Sequence, residues 1–354
     1  MTSNDRLRIL PADACNEAVR TWQSLEARVL DPPLACSWRW TDIWLRHYGD
    51  VVPHRFAIGE EEGEPYGIAL LTEDSRTRGP IRLRRLHLGT AAEPPRESVF
   101  VERNGVLVDP DHRNRFAAEL LASLRKERGW AEIRLDGFSA DDAKPFLEAS
   151  DGLRPRWAAS PWLELDAASG EVDSVLDLLG SRTRKRLRRY LRELDPISTE
   201  WAQGGRRGLE IFDELLALHR ERWKRRGQRG AFSMPRFVSF HRDLIATLPD
   251  AVVLFRVRCR DRTIACLYNL IDRGDVLSYQ AGIADGDNRV SPGLVAHVLC
   301  MAACAGRDFR RYDFLAGDAQ YKRQLTNGAG QLVWARAQRP LARILKPRQS
   351  FGPA

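Results

Sequence analysis

Apolar positions along this chain switch between two periods, and the switches mark its elements. Ala18, Trp22, Leu25 and Val29 recur at helical spacing and predict a helix from Asp13 to Val29, after a short strand at residues 6–10. Trp40, Ile43 and Trp44 mark a second helix beyond the proline turn at Asp31–Pro33, with tryptophans suited to anchoring a core. From His54 the period falls to two: residues 55–58, 66–71 and 81–88 predict three antiparallel strands separated by turns rich in Gly, Glu and Pro. A helix over 111–128, a strand over 131–136, a short helix over 142–149 and a strand over 162–165 complete the first half.

The second half runs in a similar order. Helices are predicted over 173–179, 181–194, 209–224 and 235–248, then strands over 251–259, 263–271 and 276–283 joined by hairpin turns at 260–262 and 272–274. Ser291-Pro-Gly opens an apolar helix that runs to Ala305 and is closed by Gly306. A strand over 311–317, a helix opening at Asp318 and a last strand over 331–336 follow. The pattern predicts an α/β protein with mixed sheets in two lobes, residues 1–170 and 171–345, with a basic tail at 346–354.

Composition agrees with two domains: 354 residues, 43% hydrophobic and 29% charged, suit a soluble globular chain with two cores. The opening residues lack an apolar run with a cleavage site, and no run reaches bilayer length, so a cytoplasmic location without a membrane span is the expectation. Six scattered cysteines form neither a zinc spacing nor a disulfide framework, and Cys300 and Cys304 sit in an apolar helix as small buried residues, so no metal is expected. A formal charge of +8 suits an anionic ligand such as coenzyme A, a nucleotide-linked sugar or RNA.

Within this frame a few residues carry candidate chemistry. The Ser291 helix start offers free backbone N–H groups and the positive pole of a helix, a setting that suits phosphate, with Arg289 just upstream. Tyr321 has two readings, a general acid for a leaving thiolate or alkoxide and an aromatic cap on the core. Lys322 offers a point charge to a phosphate or oxyanion, and Asp313 and Asp318 could orient or deprotonate an amine, although Asp318 also serves as a helix cap. His297 invites the role of a base, but no partner for it is visible, and a satisfied core histidine is the simpler reading. The helix from Ser181 to Leu194 carries seven basic residues around an apolar stripe of Leu187, Tyr190, Leu191 and Leu194, so it docks on a core. Its basic face is either a solvated surface or a landing site for a phosphorylated substrate or RNA. No phosphate-binding Gly-rich Lys loop, dinucleotide glycine pattern or nucleophile elbow is present.

Taken together, Ser181-Arg-Thr-Arg-Lys-Arg-Leu-Arg-Arg, Arg222-Trp with Phe232, the Ser291-Pro-Gly helix start and Tyr312-Asp-Phe-Leu-Ala-Gly-Asp-Ala-Gln-Tyr-Lys322 resemble the GNAT acyltransferase superfamily. The match is to its two-lobed group of CelD-like or BioF-like acetyltransferases, relatives of the Fem peptidoglycan aminoacyltransferases, and it covers residues 173–322. The resemblance implies two tandem GNAT-like lobes and transfer of an acyl group from acyl-CoA, such as acetyl-CoA, to a small-molecule or glycan amine, in cell-envelope, polysaccharide or secondary metabolism. It implies a donor site at Gln280, Ala281, Gly282, Arg289, Ser291, Gly293 and Leu294, with Tyr321 as general acid beside Asp313 and Lys322. Arg184, Arg188, Trp223, Tyr279 and Asp318 are the implied substrate contacts. The segment Arg289-Val-Ser-Pro-Gly-Leu departs from the usual GNAT phosphate loop, having proline for its first glycine and leucine for its last position. Fem relatives, which use aminoacyl-tRNA, also lack a clean version of that loop, so tRNA is the alternative donor; DNA is not an expected partner. A non-catalytic lobe pair serving polysaccharide synthesis is the alternative of a different class.

Overall fold

The computed structural model describes residues 6–78, 81–99, 102–285 and 289–339. The expected tail at 346–354 and the middle of the polar turn, 286–288, lie outside the described residues. In chain order the first half contains β1 (Arg6–Pro11), α1 (Cys15–Glu26), α2 (Trp38–Tyr48), β2 (His54–Glu61), β3 (Glu64–Arg78), β4 (Ile81–Leu88), β5 (Leu107–Val108), α3 (Arg113–Lys126), β6 (Glu132–Ser139), α4 (Ala140–Glu148) and β7 (Arg154–Glu164). The second contains α5 (Val172–Asp177), α6 (Ser181–Leu194), β8 (Ile197–Ala202), α7 (Gly205–Arg225), α8 (Pro235–Thr247), β9 (Val252–Cys259), β10 (Arg262–Asp272), β11 (Asp275–Ile283), α9 (Pro292–Ala305), β12 (Arg311–Asp313), α10 (Gln320–Gln324) and β13 (Gly328–Gln338).

These elements form two compact units, one comprising the chain up to Ala158 together with the segment from Gln331, the other Ala159–Gly330. In the first unit the strands lie in the order β1-β2-β3-β4-β6-β13, with β5 against β3; β4 and β6 are parallel and the other neighbours antiparallel. In the second the order is β8-β9-β10-β11-β12-β7, again with one parallel pair, β11 and β12. Each parallel pair is bridged by a helix, α3 or α9, because parallel neighbours need a crossover.

Two expectations are corrected. The last strand, expected in the lobe 171–345, completes the first unit: Leu332–Gln338 pair antiparallel with Glu132–Ser139, covering an edge of β6. Residues from Ala159 onward, expected in the lobe 1–170, belong to the second unit, where Trp162–Glu164 pair with Arg311–Asp313. Both pairings join residues well over a hundred positions apart, which local periodicity does not report.

The first core gathers Leu86, Leu88, Ile133 and Leu135 of the parallel pair under Phe116, Leu120 and Leu124 of α3. The second gathers Val295, Val298, Met301 and Cys304 of α9 with Leu187 of α6 and Val175 of α5. The stripe on α6 therefore docks as its spacing predicts: Leu187 and Tyr190 are buried, and each fully buried aliphatic side chain of this kind contributes about 1.5–3 kcal/mol.

Candidate active site

In the second unit β11 and β12 run together only briefly. Asp275, Val276 and Leu277 face Arg311, Tyr312 and Asp313, and there β12 ends, whereas on its other side β11 stays paired with β10 as far as Ile283. The β11 edge from Ser278 to Ile283 therefore has no strand partner on the β12 side among the described residues. The register with β10 shifts between Tyr268 and Asn269, so that Tyr279 is the extra, bulged residue of β11. Gln280 and Ala281 follow it, half-buried, along the open edge.

The strand expected over 311–317 stops at Asp313 for visible reasons. Leu315 takes a left-handed conformation with φ 59°, Gly317 has φ 127°, and the chain turns away. Asp313, fully buried, holds that turn: its Oδ1 accepts the Leu315 N–H and the Ser160 hydroxyl, both at 2.7 Å. Lys322 closes it from the other side, its ammonium donating to the carbonyls of Phe314 (2.7 Å), Leu315 (3.2 Å) and Ala316 (2.6 Å). The ammonium has three N–H groups, so these contacts account for them and make Lys322 an anchor of the loop. The helix after the turn starts later than expected: Ala319, not Asp318, occupies the cap position, no side chain caps it, and Asp318 is exposed.

At the far end of the open edge α9 begins as expected. Ser291 caps it, accepting the Leu294 N–H at 3.5 Å, a long contact, and Pro292 fills the first helical position. The nearest atoms a Cβ at Gly293 would meet belong to the Ile283 side chain, at 3.5 Å or more, so protein packing does not demand glycine there. Gly282 is different: a Cβ there would lie 2.6 Å from the Leu215 carbonyl oxygen, so this glycine serves the close approach of α7 to β11. Arg225 on α7 pairs with Asp285 at 3.0 Å, tying the start of the loop that carries Arg289.

Tyr321 projects from α10 with 39% of its surface exposed, its ring parallel to that of His297 (centroids 5.8 Å apart, 12° between planes) and edge-on to Phe314. Its hydroxyl has no hydrogen-bond partner among the described residues, and burial of the ring raises its pKa although Arg222 acts against this, so it is a protonated phenol at neutral pH. His297 is buried, with Nδ1 3.0 Å from the Tyr312 hydroxyl, which in turn donates to Asn269 Oδ1 at 3.1 Å. Asn269 and Tyr312 are the residues that sequence reasoning missed as partners. A visible signal existed in Asn269, an amide inside the apolar run of β10.

Other expected substrate contacts have partners in the fold. Arg184 pairs with Asp177 at 2.8 Å and Arg188 with Asp173 at 2.9 Å, so these two charges of α6 are answered by acids of α5 and its end. Trp223 donates its indole N–H to His219 at 2.8 Å, and the Tyr279 hydroxyl lies 3.3 Å from His241 Nε2. The structure thus gathers Asp313, Tyr321 and Lys322 at the exit of β12, and Gln280, Ala281, Ser291 and Gly293 along the edge and helix start. It does not bring Arg184 or Arg188 into contact with them. Among the described residues no cluster of His, Cys, Asp and Glu could hold a metal ion, and no helix is long and apolar enough to cross a membrane.

Residues 181–323 match the acetyltransferase (GNAT) domain family, a span that holds β11, α9, β12 and nearly all of α10. Among solved structures, FemX is similar with a TM-score of 0.59 at 14% identity, over 92% of this chain and 98% of that one. The C-terminal domain of an Agrobacterium fabrum protein provisionally named a lysylphosphatidylglycerol synthetase has a TM-score of 0.57 at 14% identity, over 93% and 95% of the two chains. A Bacteroides thetaiotaomicron protein of unknown function gives 0.56 at 8% identity, over 90% and 97%. At these identities the likeness is one of fold. No curated protein matches the chain. The open strand edge thus lies within the segment that matches the acetyltransferase (GNAT) domain family, in a chain whose fold is shared with FemX.

Proposed function

We propose that the protein transfers an acyl group from acyl-CoA to an amine by direct attack, without a covalent enzyme intermediate. The observation that carries this reading is the unpaired edge of β11 from Ser278 to Ile283, ending at the α9 start and lying in the same unit as the Tyr321 hydroxyl. A pantetheine arm extended along that edge would hydrogen-bond to it as an added strand does. An N–H near Ala281 would polarise the thioester carbonyl, and the N–H groups at Gly293 would receive the pyrophosphate. Tyr321 would protonate the departing thiolate, as a phenol with a raised pKa holds its proton until a strong base appears. Asp313 and Lys322 would shape the turn that places Tyr321.

The test is thermal: acetyl-CoA and longer acyl-CoAs are added to purified protein and the melting temperature followed. A rise of several degrees at saturating donor is expected, and no rise with any acyl-CoA overturns this donor. An aminoacyl-tRNA donor is the second reading, favoured by the fold shared with FemX and by the proline in Arg289-Val-Ser-Pro-Gly-Leu. It predicts activity destroyed by ribonuclease and binding that weakens steeply with salt.

A further inference from the structure

We infer that the acceptor amine carries a carboxylate and that Arg222 is the residue that reads it. This deepens the acyl-transfer reading above and rests on it. The sheet of the second unit has helices on both faces, and alternate strand residues sort between them. Ala265 and Leu267 of β10 and Ala281 and Ile283 of β11 belong to the core that α9 fills. Tyr268 instead meets Phe212 of α7, and Gly282 lies under Leu215 of the same helix. Arg222 follows Leu215 by seven residues, close to two turns, so it stays on the side of α7 that is turned to β11. Three residues further on, Arg225 reaches Asp285, just past the end of that strand. Arg222 therefore stands over the last residues of β11, on the face opposite α9. Its charge also extends past the edge: burial raises the Tyr321 pKa, and Arg222 opposes that rise. Tyr321, stacked on His297 of α9, and Arg222 thus approach the open edge from the two faces of the sheet.

Arg222 is half-buried and, among the described residues, makes no hydrogen bond, ion pair or ring contact. Its neighbours are committed elsewhere. Arg225 pairs with Glu221 and Asp285, Arg226 lies over the face of Trp223, and the Trp223 indole donates to His219. His219 supplies no anion either, since burial first and Arg222 next lower its pKa to about 4 and leave the imidazole neutral. A guanidinium that has lost part of its hydration and has no counter-charge gains most from an anion brought to it. Its planar fork fits a carboxylate through two parallel hydrogen bonds. The anionic groups of the donor are its phosphates, assigned above to the start of α9 on the opposite face, and the pantetheine arm along β11 is uncharged. The anion at Arg222 therefore belongs to the amine, which makes an amino acid or a similar amino-carboxylate the class of acceptor.

The test uses the full chain and pairs of amines that differ only in the acid. Glycine, β-alanine, 4-aminobutyrate and the common L-amino acids are each set against their amides at equal free-base concentration, and thiol release from acetyl-CoA is followed. At least one acid is expected to exceed its amide in kcat/KM by about tenfold or more, the worth of a charge-assisted hydrogen bond. Arg222→Gln is expected to remove that preference through KM rather than kcat, Arg222→Lys to restore part of it, and both to keep the wild-type melting shift with acetyl-CoA. A panel in which no acid outperforms its amide overturns the assignment, as does an Arg222→Gln enzyme with its preference intact. So does a loss of acetyl-CoA binding in Arg222→Gln when S-acetylpantetheine, which has no phosphate, binds as before, because Arg222 would then hold the donor. Failure of every acyl-CoA to stabilise the wild type would remove the donor reading and this inference with it, and it is seen before any amine is added.

Discussion

The two units contain the same junction in two states. In each, three antiparallel strands lead to a parallel neighbour across a helical crossover. In the second unit the parallel strands part after Leu277 and Asp313, and among the described residues no strand pairs with the edge beyond. In the first, β4 and β6 stay paired through Leu88 and Leu135, and Asn104 then fills the gap. Its N–H donates to the Gly137 carbonyl at 3.1 Å, its side-chain amide to the Leu88 carbonyl at 3.0 Å, and it forms a parallel bridge to Phe138. Gly89 makes room for it: with φ 82°, a Cβ there would lie 2.1 Å from Asn104 Oδ1. The helix starts differ as well. Asp109 and Asp111 precede α3, where a phosphate would be repelled, whereas the first turn of α9 carries no acid. One fold thus supports an open strand edge in one unit and a sealed sheet in the other, and the difference lies in the segment between the strand and its helix.

The buried histidines repeat the contrast. His87 on β4 faces a carboxylate at each nitrogen, Asp136 at 2.7 Å and Asp74 at 3.3 Å. Burial draws its pKa down, but the two carboxylates outweigh burial and the net shift is upward, so it is part of a charged network with Arg134 and Arg85. His297 faces a hydroxyl and remains neutral. The first is a charged, mutually satisfied cluster; the second is a neutral ring packed among Tyr312, Phe314 and Tyr321.

The comparison can be broken or sharpened by four measurements. The largest effect is expected for Tyr321→Phe, a loss of about a hundredfold or more in turnover with donor binding retained, as removal of a general acid does. Turnover near the wild-type rate would mean that the second junction is not the reacting one. Next is Glu93→Gln in the first unit. Burial pushes this carboxyl up to about 7, against its indole hydrogen bond from Trp44, so the folded state keeps a proton that the unfolded state releases near pH 4.5. Wild-type stability should therefore fall as pH rises from about 4.5 to 7, by up to about 3 kcal/mol. Urea titrations of the variant should show that slope flattened. Third, Asn104→Ala strands the Leu88 carbonyl and the Gly105 N–H and should cost about 2 kcal/mol. Calorimetry on this variant should still find one acyl-CoA per chain, and a stoichiometry of two would show that the plug alone silences the first unit. The smallest effect is Gly293→Asp, which copies the acidic helix start of the first unit into the second; about a tenfold loss of acyl-CoA affinity is expected with the melting temperature of the free protein unchanged.

Much of this was legible from periodicity and caps. The boundaries of α6 at Ser181 and Leu194 and the Ser291 start of α9 follow from an apolar stripe and from cap chemistry, which are local. The fates of β7 and β13 were not, because strand pairing at long range depends on which edges remain free. Gly282 reads like a donor-loop glycine until the backbone of Leu215 is seen beside it. Lys322 reads like a phosphate ligand because its carbonyl partners belong to a turn, and a run such as Phe-Leu-Ala-Gly shows a strand pattern as readily as a left-handed Leu315. His297 lacked a partner in sequence because Tyr312 lies on another element, fifteen residues on.

The position of β13 also bears on how the protein is made. Residues up to Ala158 leave the ribosome long before Leu332–Gln338, the strand that covers the β6 edge of their own sheet. During synthesis of the whole second unit the nascent first unit therefore presents the backbone of Glu132–Ser139 unpaired, and a fragment ending near Ala158 would carry that sticky edge permanently. Expression of the first unit alone should accordingly require residues 328–338 supplied in trans or spliced on by a short linker.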